Sequence, residues 1–299
     1  MEKAGMSDVT IVGLGAMGTA LAETLLAQRL KVNVWNRSPE KAKPLIVKGA
    51  NLSVDIASAI STSELVLISV LDYQAVKEIL ESATEALAGR TIVNLTNGTP
   101  SQVRDMAAWV EKCGGKYLDG GVMVTPELVG GPEAFVFYSG SLAVYKQHQK
   151  VLAMLGNPVY VGENFALAAI YDLALLSSMF GMFAGYIHAA ALLRSENIPV
   201  TDVTPMIMSM LKAMIELFPQ TAQEIDTGVY PQPSSNNTMM AAGLKNILDA
   251  SREQGVQEDL IQPIWKLFQR ASTSGLGNKD ISALPLLLLR AKPIISPPQ

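Results

Sequence analysis

Residues that bind metals or form disulfides are scarce in this 299-residue chain. Its one cysteine, Cys113, cannot form an internal disulfide, which fits a reducing cytosol. Its two histidines, His148 and His188, would need several carboxylates beside them to hold zinc, and the sequence has no group of such residues at ligand spacing. We therefore predict a cytoplasmic protein with no metal site.

Positive charge and a targeting segment are lacking as well. The net charge of −4 gives no support to nucleic-acid binding, which normally needs a basic surface, and residues 1–5 contain no apolar signal region. Residues 173–193 hold no Asp, Glu, Lys or Arg and are long enough to span a bilayer. They also carry polar side chains such as Tyr186 and His188, and a helix that is apolar all round can instead be buried in protein. We expect neither a nucleic acid nor a membrane as a partner.

The start of the chain has the pattern of a dinucleotide-binding βαβ unit. A short apolar run at residues 8–12 leads into the motif G-x-G-x-x-G at residues 13–18. A helical pattern at 19–28 and a second apolar run at 31–35 follow. The motif alone is weak evidence, but with these flanking elements it predicts a nucleotide site.

Each glycine of the turn has a separate role in such a site. Gly13 permits the tight turn, Gly15 lets the backbone approach a pyrophosphate, and Gly18 lets the helix pack on the strand. The free N–H groups and the dipole at the helix N-terminus favour the anion. The cofactor contacts predicted for this turn are Gly13, Leu14, Gly15, Ala16, Met17 and Gly18.

The second apolar run ends without the acidic residue that usually binds the ribose hydroxyls of NAD. It ends instead at Asn36, Arg37 and Ser38, with Lys41 one helical turn further on. A carboxylate would repel a 2′-phosphate, whereas a guanidinium can bind it with two hydrogen bonds. These residues therefore predict NADP(H) as the cofactor. The alternative is a glycine turn in an ordinary α/β loop, with Arg37 merely solvated.

The fold class predicted is α/β followed by all-α. Near-continuous apolar runs are typical of strands buried on both faces of a parallel sheet. They occur at residues 64–71 and 91–96, with helical patterns at 72–88 and 100–113, and further strands are predicted at 116–123, 134–139 and 158–161. The second half has helical patterns at 165–197, 203–224, 237–254 and 259–273. We predict a doubly wound Rossmann domain (1–162), a buried interdomain helix (163–197) and an all-helical domain for dimerisation and substrate binding (198–299).

Two polar residues stand out as catalytic candidates. Asp172 lies directly before the long apolar stretch, and a carboxylate in a dry cleft would strongly stabilise a cation. A helix N-cap or a residue paired with an arginine is the alternative for Asp172. Asn97 follows a buried strand and is placed at the ligand end of the sheet, although Asn-Gly also favours a plain turn. Val70 and Leu71, at the end of the preceding strand, are expected to line the cofactor.

Several stretches of the chain resemble the imine reductases, and most of all their reductive aminase branch, within the β-hydroxyacid dehydrogenase superfamily. The resemblance covers nearly the whole chain, and its carriers are residues 13–18, 34–39, 94–100, 120–123, 172–177 and 261–264. It implies an enzyme that transfers hydride from NADPH to C=N bonds. It also implies imine, amine and ketone substrates and a homodimer with exchanged helical domains.

The residues themselves separate this branch from the hydroxyacid dehydrogenases. Those enzymes use a lysine on the connecting helix as acid/base, and they use a Ser-Gly-Gly turn to hold the substrate carboxylate. Here no lysine occurs between Lys150 and Lys212, and the corresponding turn at residues 120–126 lacks Ser-Gly-Gly. A hydroxyacid dehydrogenase with displaced acid/base chemistry and a non-catalytic dinucleotide-binding scaffold remain as alternatives.

The resemblance also implies the substrate-binding residues and one departure from the family pattern. Asn97 would border the nicotinamide and the substrate. Reductive aminases usually place a tyrosine at the position of Phe180, about 80° around the helix from Asp172. A phenylalanine cannot donate a proton, which puts amine–ketone condensation in doubt more than imine reduction. The substrate contacts so implied are Met123, Asp172, Leu176, Phe180, Met210, Met239 and Met240.

Overall fold

The computed structural model describes residues 7–233 and 235–289, which form two compact units that divide between Ser177 and Ser178. The division falls within one helix, and the domain boundaries predicted at 162 and 197 remain a prediction. The strands are β1 (Val9–Val12), β2 (Val32–Trp35), β3 (Asn51–Leu52), β4 (Leu65–Ile68), β5 (Thr91–Asn94), β6 (Lys116–Val122), β7 (Phe135–Gly140) and β8 (Asn157–Gly162). The helices of the first unit are α1 (Ala16–Ala27), α2 (Lys43–Val47), α3 (Ile56–Ser61), α4 (Tyr73–Glu81), α5 (Pro100–Lys112) and α6 (Leu142–Leu152), followed by the start of α7 (Leu167–Ser195).

One eight-stranded sheet organises the first unit. Its strand order is β3-β2-β1-β4-β5-β6-β7-β8, and all neighbours are parallel except the antiparallel pair of β6 and β7. The order reverses between β1 and β4, which is where a doubly wound sheet places its ligand. The predicted α/β architecture with a helical second half is confirmed.

The sheet is buried on both faces, which explains the near-continuous apolar runs. Leu65 and Leu67 of β4 belong to a cluster with α1 and α6, whereas Val66 and Ile68 belong to a cluster with α3, α4 and α5. Successive side chains of a strand point to opposite faces, so both sets of positions in β4 face an apolar cluster and all four residues are apolar. The short β3 and helices α2, α3 and α6 were not predicted.

Helices alone make up the described part of the second unit. It contains the rest of α7 and then α8 (Val200–Ile215), α9 (Phe218–Thr227), α10 (Asn237–Glu253), α11 (Gln262–Thr273) and α12 (Pro285–Leu288). The prediction of one helix over 203–224 is wrong, because α8 ends at Ile215 and α9 begins at Phe218. Pro219 lies in the first turn of α9, where its missing N–H costs nothing, but it could not continue the bonding of α8.

The prediction that the connecting helix is buried is wrong for a single chain. In α7, only 17% of the most apolar 18-residue window is buried, and Phe180 and Ile187 are 63% and 59% exposed. By length and apolarity α7 could also cross a membrane, but a single helix of this kind is weak evidence, because core helices pass the same test. The amino-acid composition of α7 shows that the helix is apolar, but it does not show whether the same chain buries it.

Candidate active site

The turn between β1 and α1 has a shape that only glycines allow. Gly13 has φ of +94°, and a Cβ there would lie 2.2 Å from the carbonyl oxygen of Ser69, at the end of β4. A Cβ on Gly18 would lie 2.0 Å from the carbonyl oxygen of Gly13. The two glycines therefore let α1 and the β4 loop close tightly on the turn, as their spacing predicted.

The N-terminus of α1 is suited to an anion. Gly15 is its N-cap residue, no side chain caps the helix, and its first turn contains no acidic residue. A Cβ on Gly15 would have no heavy atom within 4 Å, so the backbone borders open space. N–H groups in the first turn of a helix, together with the helix dipole, bind phosphate oxygens well.

A cavity of about 380 Å³ lies over this turn. Most of the predicted cofactor contacts line it, namely Gly13, Leu14, Gly15, Ala16, Met17, Gly18, Asn36, Lys41, Val70 and Leu71. Ser69 lines it too and was not predicted. The glycine backbone, the open space and a nearby lysine fit the pyrophosphate and the phosphorylated ribose of a dinucleotide.

Asn36 fastens the glycine turn to the end of β2. Its Oδ1 accepts the N–H of Leu14 at 2.9 Å, and its Nδ2 donates to the carbonyl oxygen of Ser38 at 3.0 Å. The sequence suggested a direct cofactor contact for Asn36. The structure adds a role in holding the turn against the segment that carries Arg37.

Arg37 and Ser38 do not line the cavity. Arg37 is exposed, and its guanidinium lies 3.7 Å from the carboxylate of Glu78, which α4 brings from 41 positions further along the chain. The sequence showed no acid beside Arg37, because only the fold brings Glu78 there. The side chains of this pair are 74% and 52% exposed, so the contact is worth little and a 2′-phosphate can compete for the guanidinium.

Asp172 and Asn97 form a hydrogen-bonded pair. The amide Nδ2 of Asn97 donates to the carboxylate Oδ2 of Asp172 at 2.5 Å, across 75 positions of sequence. Asp172 lies in the second turn of α7 and is 6% exposed, whereas Asn97, in the loop after β5, is exposed. Burial raises the pKa of the Asp172 carboxyl, and the hydrogen bond from Asn97 opposes part of that rise. The structure thus brings together the two residues predicted to be catalytic.

The predicted substrate residues are divided between the two units. In the first unit, Met123 follows β6 and Leu176 lies on α7, and both are half-buried. In the second unit, Phe180 and Met210 are more than 60% exposed, Met239 is 55% exposed and Met240 is half-buried. Their binding of substrate remains a prediction.

Sequence reasoning missed a buried acid next to this pair. Asp119 of β6 is 2% exposed. Burial raises its pKa to about 7; hydrogen bonds from Tyr73 and Tyr117 oppose part of the rise, and the nearby Asp172 adds to it. A carboxylate inside an otherwise apolar strand was the available signal, because such a group is seldom buried without partners. In residues 7–233 and 235–289, no three His, Cys, Asp or Glu side chains are grouped to hold a metal ion.

Comparison with known proteins gives the family. Residues 164–289 match the family model of the NADPH-dependent reductive aminase-like C-terminal domain. Residues 8–162 match that of the NAD binding domain of 6-phosphogluconate dehydrogenase. The NADPH-dependent reductive aminase of Aspergillus oryzae is 41% identical over 92% of this chain and 95% of its own length.

Solved structures agree with these matches. A reductive aminase from Aspergillus terreus, in complex with NADPH and ethyl-5-oxohexanoate, is 43% identical with a TM-score of 0.91, over 95% of this chain and 100% of its own. An imine reductase from Myxococcus stipitatus, in complex with NADP⁺, is 29% identical with a TM-score of 0.90, over 94% of this chain and 100% of its own.

The glycine turn and its cavity define a dinucleotide-dependent oxidoreductase as the general class. Within that class, the chain belongs to the NADPH-dependent reductive aminase family, which includes the imine reductases. The predicted family, enzyme class and NADP(H) cofactor are confirmed.

Proposed function

We propose that this chain reduces imines and iminium ions to amines, with Asp172 as the proton donor and the group that stabilises the cation. The observation that carries this assignment is the short hydrogen bond from Asn97 to a buried carboxylate on a helix without lysine. NADPH, when bound, supplies the hydride for the C=N carbon. Every other part of the chemistry belongs to residues of this chain.

The cofactor is held at two of its groups, the pyrophosphate and the 2′-phosphate. The backbone of residues 13–18 receives the pyrophosphate at the N-terminus of α1. Lys41 lines the same cavity, and Arg37 and Ser38 follow β2 beside it. Their charge and hydrogen bonds favour a 2′-phosphate over a free hydroxyl.

Asp172 performs the proton chemistry. Because burial raises its pKa, the carboxyl is able to hold a proton closer to neutral pH than an exposed aspartate. It gives that proton to the nitrogen of a neutral imine, and the resulting carboxylate then stands beside the iminium cation. The attraction is strong because the site is partly closed to water. Hydride addition to carbon then leaves a neutral amine.

Asn97 fixes the direction of the carboxylate. Its amide donates to Oδ2 of Asp172, which leaves Oδ1 as the oxygen for the substrate nitrogen. A carboxylate held in one orientation costs little reorganisation at the moment of reaction. We therefore assign Asn97 as the residue that orients Asp172.

Ketones and amines are the substrate class we propose for the complete reaction, as a second activity beside reduction of preformed imines. Met210, Met239 and Met240 supply flexible apolar surface that adapts to varied substituents. Phe180 has no hydroxyl for the proton transfers of condensation, so we expect imine reduction to exceed reductive amination.

A second copy of the chain is the protein partner that we propose. Large apolar side chains on α7, α8 and α9 are exposed in the single chain, among them Phe180, Ile187, Met206, Met210 and Phe218. Monomers seldom expose apolar patches above a few hundred Å². A cytoplasmic homodimer that exchanges helical domains, with neither nucleic acid nor membrane, would cover them.

The test of the function is an NADPH-oxidation assay on the purified chain with a preformed cyclic imine. We expect steady turnover of the imine and little reduction of NADP⁺ by 3-hydroxy acids. Turnover of 3-hydroxy acids without reduction of any imine would assign the chain to the hydroxyacid dehydrogenases instead. Cofactor binding with neither activity would mean a non-catalytic scaffold.

A further inference from the structure

The Asn97–Asp172 pair is built from two separate elements, the loop after β5 and the second turn of α7. A hydrogen bond of 2.5 Å between such elements persists only if each element is held in place. One buried side chain contacts the loop, and one buried carboxylate contacts the helix. These two groups, Tyr73 and Asp119, are hydrogen-bonded to each other.

Tyr73 supports the loop. It is the first residue of α4 and is 4% exposed. A Cβ on Gly98 would lie 2.2 Å from a ring carbon of Tyr73, so the backbone next to Asn97 rests directly on the aromatic ring. The position of the Tyr73 ring therefore limits how far the loop that carries Asn97 can move towards α4.

The hydroxyl of Tyr73 reaches the carboxylate of Asp119. Tyr73 donates to Asp119 Oδ1 at 2.7 Å, and the hydroxyl of Tyr117 donates to the same oxygen at 3.3 Å. Asn94 Nδ2 donates to the Tyr117 hydroxyl at 3.1 Å, and Asn94 Oδ1 accepts the N–H of Thr96 at 3.1 Å. These groups are almost fully buried, so each depends on its partners rather than on water.

Asp119 supports the helix. It lies opposite Ser139 in the antiparallel pairing of β6 and β7, so the two side chains share one face of the sheet. The Ser139 hydroxyl accepts the N–H of Ala168 at 3.0 Å, and Asp119 accepts a backbone hydrogen bond from Ala169. Both N–H groups belong to the first turn of α7, which has no bonding partners within the helix.

The same strand then makes room for the catalytic carboxylate. Gly121 follows Asp119 by two positions and faces the same side of the sheet. A Cβ on Gly121 would lie 3.0 Å from Cβ of Asp172, so α7 packs on the bare backbone there. Asp119 thus holds α7 one turn before Asp172, at a point of close helix–strand contact.

We infer that Tyr73 and Asp119 are positioning residues that hold Asn97 and Asp172 in register for the reaction. Neither touches the pair by a hydrogen bond. Tyr73 acts through the loop at Gly98, and Asp119 acts through the first turn of α7. The bond between them joins the two supports, so loss of either group loosens both halves of the catalytic pair. The inference rests on the catalytic role proposed for Asp172.

Tyr73→Phe is the direct test, because it removes the hydroxyl and keeps the ring beneath Gly98. A displacement of reacting groups by about 1 Å can cost ~10²-fold in rate. We expect kcat for a preformed cyclic imine to fall roughly 10-fold or more, with the Kd for NADPH within about twofold of the parent. The matched control is Tyr138→Phe, which removes another buried hydroxyl, one that donates to the carbonyl oxygen of Leu152 in a different cluster.

Asp119 gives a second test by comparison of two substitutions. Asp119→Asn keeps an oxygen that accepts from Tyr73, whereas Asp119→Ala keeps none. We expect the asparagine variant to recover part of the kcat that the alanine variant loses, with no change in the Kd for NADPH. This pair of variants carries the test if Tyr73→Phe does not fold.

The kcat values of the Tyr73→Phe, Tyr138→Phe and Asp172→Asn variants separate failure of the positioning inference from failure of the proposed function. If Asp172→Asn lowers kcat and Tyr73→Phe does not, the positioning inference is wrong and the catalytic assignment stands. If Tyr73→Phe and Tyr138→Phe lower kcat equally, in step with their loss of thermal stability, the hydroxyl is merely structural and the inference is again overturned. If Asp172→Asn leaves kcat unchanged, the catalytic role of Asp172 is wrong, and the positioning inference that rests on it is wrong as well.

Discussion

The two compact units differ in how completely they bury their own side chains. The first unit has two apolar clusters, one on each face of its sheet, and it also buries polar groups such as Asp119 and Asn94 with partners. In the second unit, the buried apolar residues among those described are few, namely Leu248, Ile261, Ala271, Ala283 and Leu284. The first unit covers its own apolar core, whereas the second leaves most of its large apolar side chains at least partly exposed.

Polar contacts show the same contrast. In the first unit they join into one buried network of Asn94, Tyr117, Tyr73 and Asp119. In the second unit they include single hydrogen bonds between helices. His188 Nε2 and Ser251 Oγ are 3.2 Å apart, and the hydroxyls of Tyr186 and Thr204 are 2.9 Å apart. The first unit thus orders its buried polar groups in a network, whereas the second leaves large apolar side chains exposed.

Assembly is the feature with the largest expected effect. We expect the parent chain to sediment as a dimer of twice 32.0 kDa, and Ile187→Glu on the exposed face of α7 to abolish the dimer. An unpaired charge on a surface that becomes buried in a dimer costs on the order of several kcal/mol. Val54→Glu, at a side chain 96% exposed in the first unit, is the control that should leave the dimer intact. A parent chain that stays monomeric at micromolar concentration would refute the assignment.

Cofactor selectivity is the next largest effect. Arg37→Ala should raise the KM for NADPH roughly 10- to 100-fold and leave NADH use almost unchanged, because one charge-assisted contact is worth about 1.5–3 kcal/mol. Arg104→Ala, at another exposed arginine on α5, serves as the control. Equal kcat/KM for NADPH and NADH in the parent would contradict the assignment of the 2′-phosphate site.

Phe180 is expected to affect the two proposed activities unequally. Phe180→Tyr should raise reductive amination at equimolar ketone and amine more than it raises reduction of a preformed imine, because a placed hydroxyl assists proton transfer. The measurement is the ratio of the two rates at one pH for the parent, Phe180→Tyr and the control Phe183→Tyr. We expect the ratio of amination to imine reduction to rise only in Phe180→Tyr. Efficient amination by the parent at a one-to-one ratio would show that Phe180 is no handicap.

Glu78 gives a smaller effect at the same cofactor site. Its carboxylate lies 3.7 Å from Arg37 and competes with the 2′-phosphate. Glu78→Gln should lower the Kd for NADPH by a factor of about 5 or less, since exposed pairs are worth about 0.2–1 kcal/mol. The gain should shrink at high salt, and a variant that binds NADPH more weakly would show that Glu78 orients Arg37 instead.

The smallest effect concerns pH and stability. Because burial raises the pKa of Asp119 to about 7, the folded chain holds a proton that the unfolded chain releases near its ordinary value of 3.8. The stabilisation is therefore complete below about pH 4 and is lost as the pH rises through about 7. Asp119→Asn should lack this loss, so the Tm difference between parent and variant should change across that range. A constant difference would contradict a buried, titrating Asp119.

The sequence was sufficient wherever the signal is local. The glycine turn, the apolar strands and the length of α7 follow from short-range pattern, and all of them are present. The contacts of Glu78 with Arg37, and of Tyr73 with Asp119, join residues more than 40 positions apart. No period or motif encodes such pairs, since they depend on which helix packs over which strand.

The pair of Asn97 and Asp172 lies between these cases. Each residue could be singled out, one by its place after a strand and the other as a lone acid on an apolar helix. Their hydrogen bond required the fold, because only the packing of α7 on β6 over Gly121 brings them together.

Asp172 is the residue whose carboxylate we propose to carry the proton and charge chemistry of imine reduction. The most direct test of this proposal is the kcat of parent and Asp172→Asn on a saturating preformed cyclic imine, with the Kd for NADPH measured on the same samples. Loss of one preorganised electrostatic group costs about 10²–10³-fold in kcat, so we expect a fall of that size with the NADPH affinity unchanged. A variant that turns over the imine at the parent rate would contradict the account and leave Asp172 with a structural role.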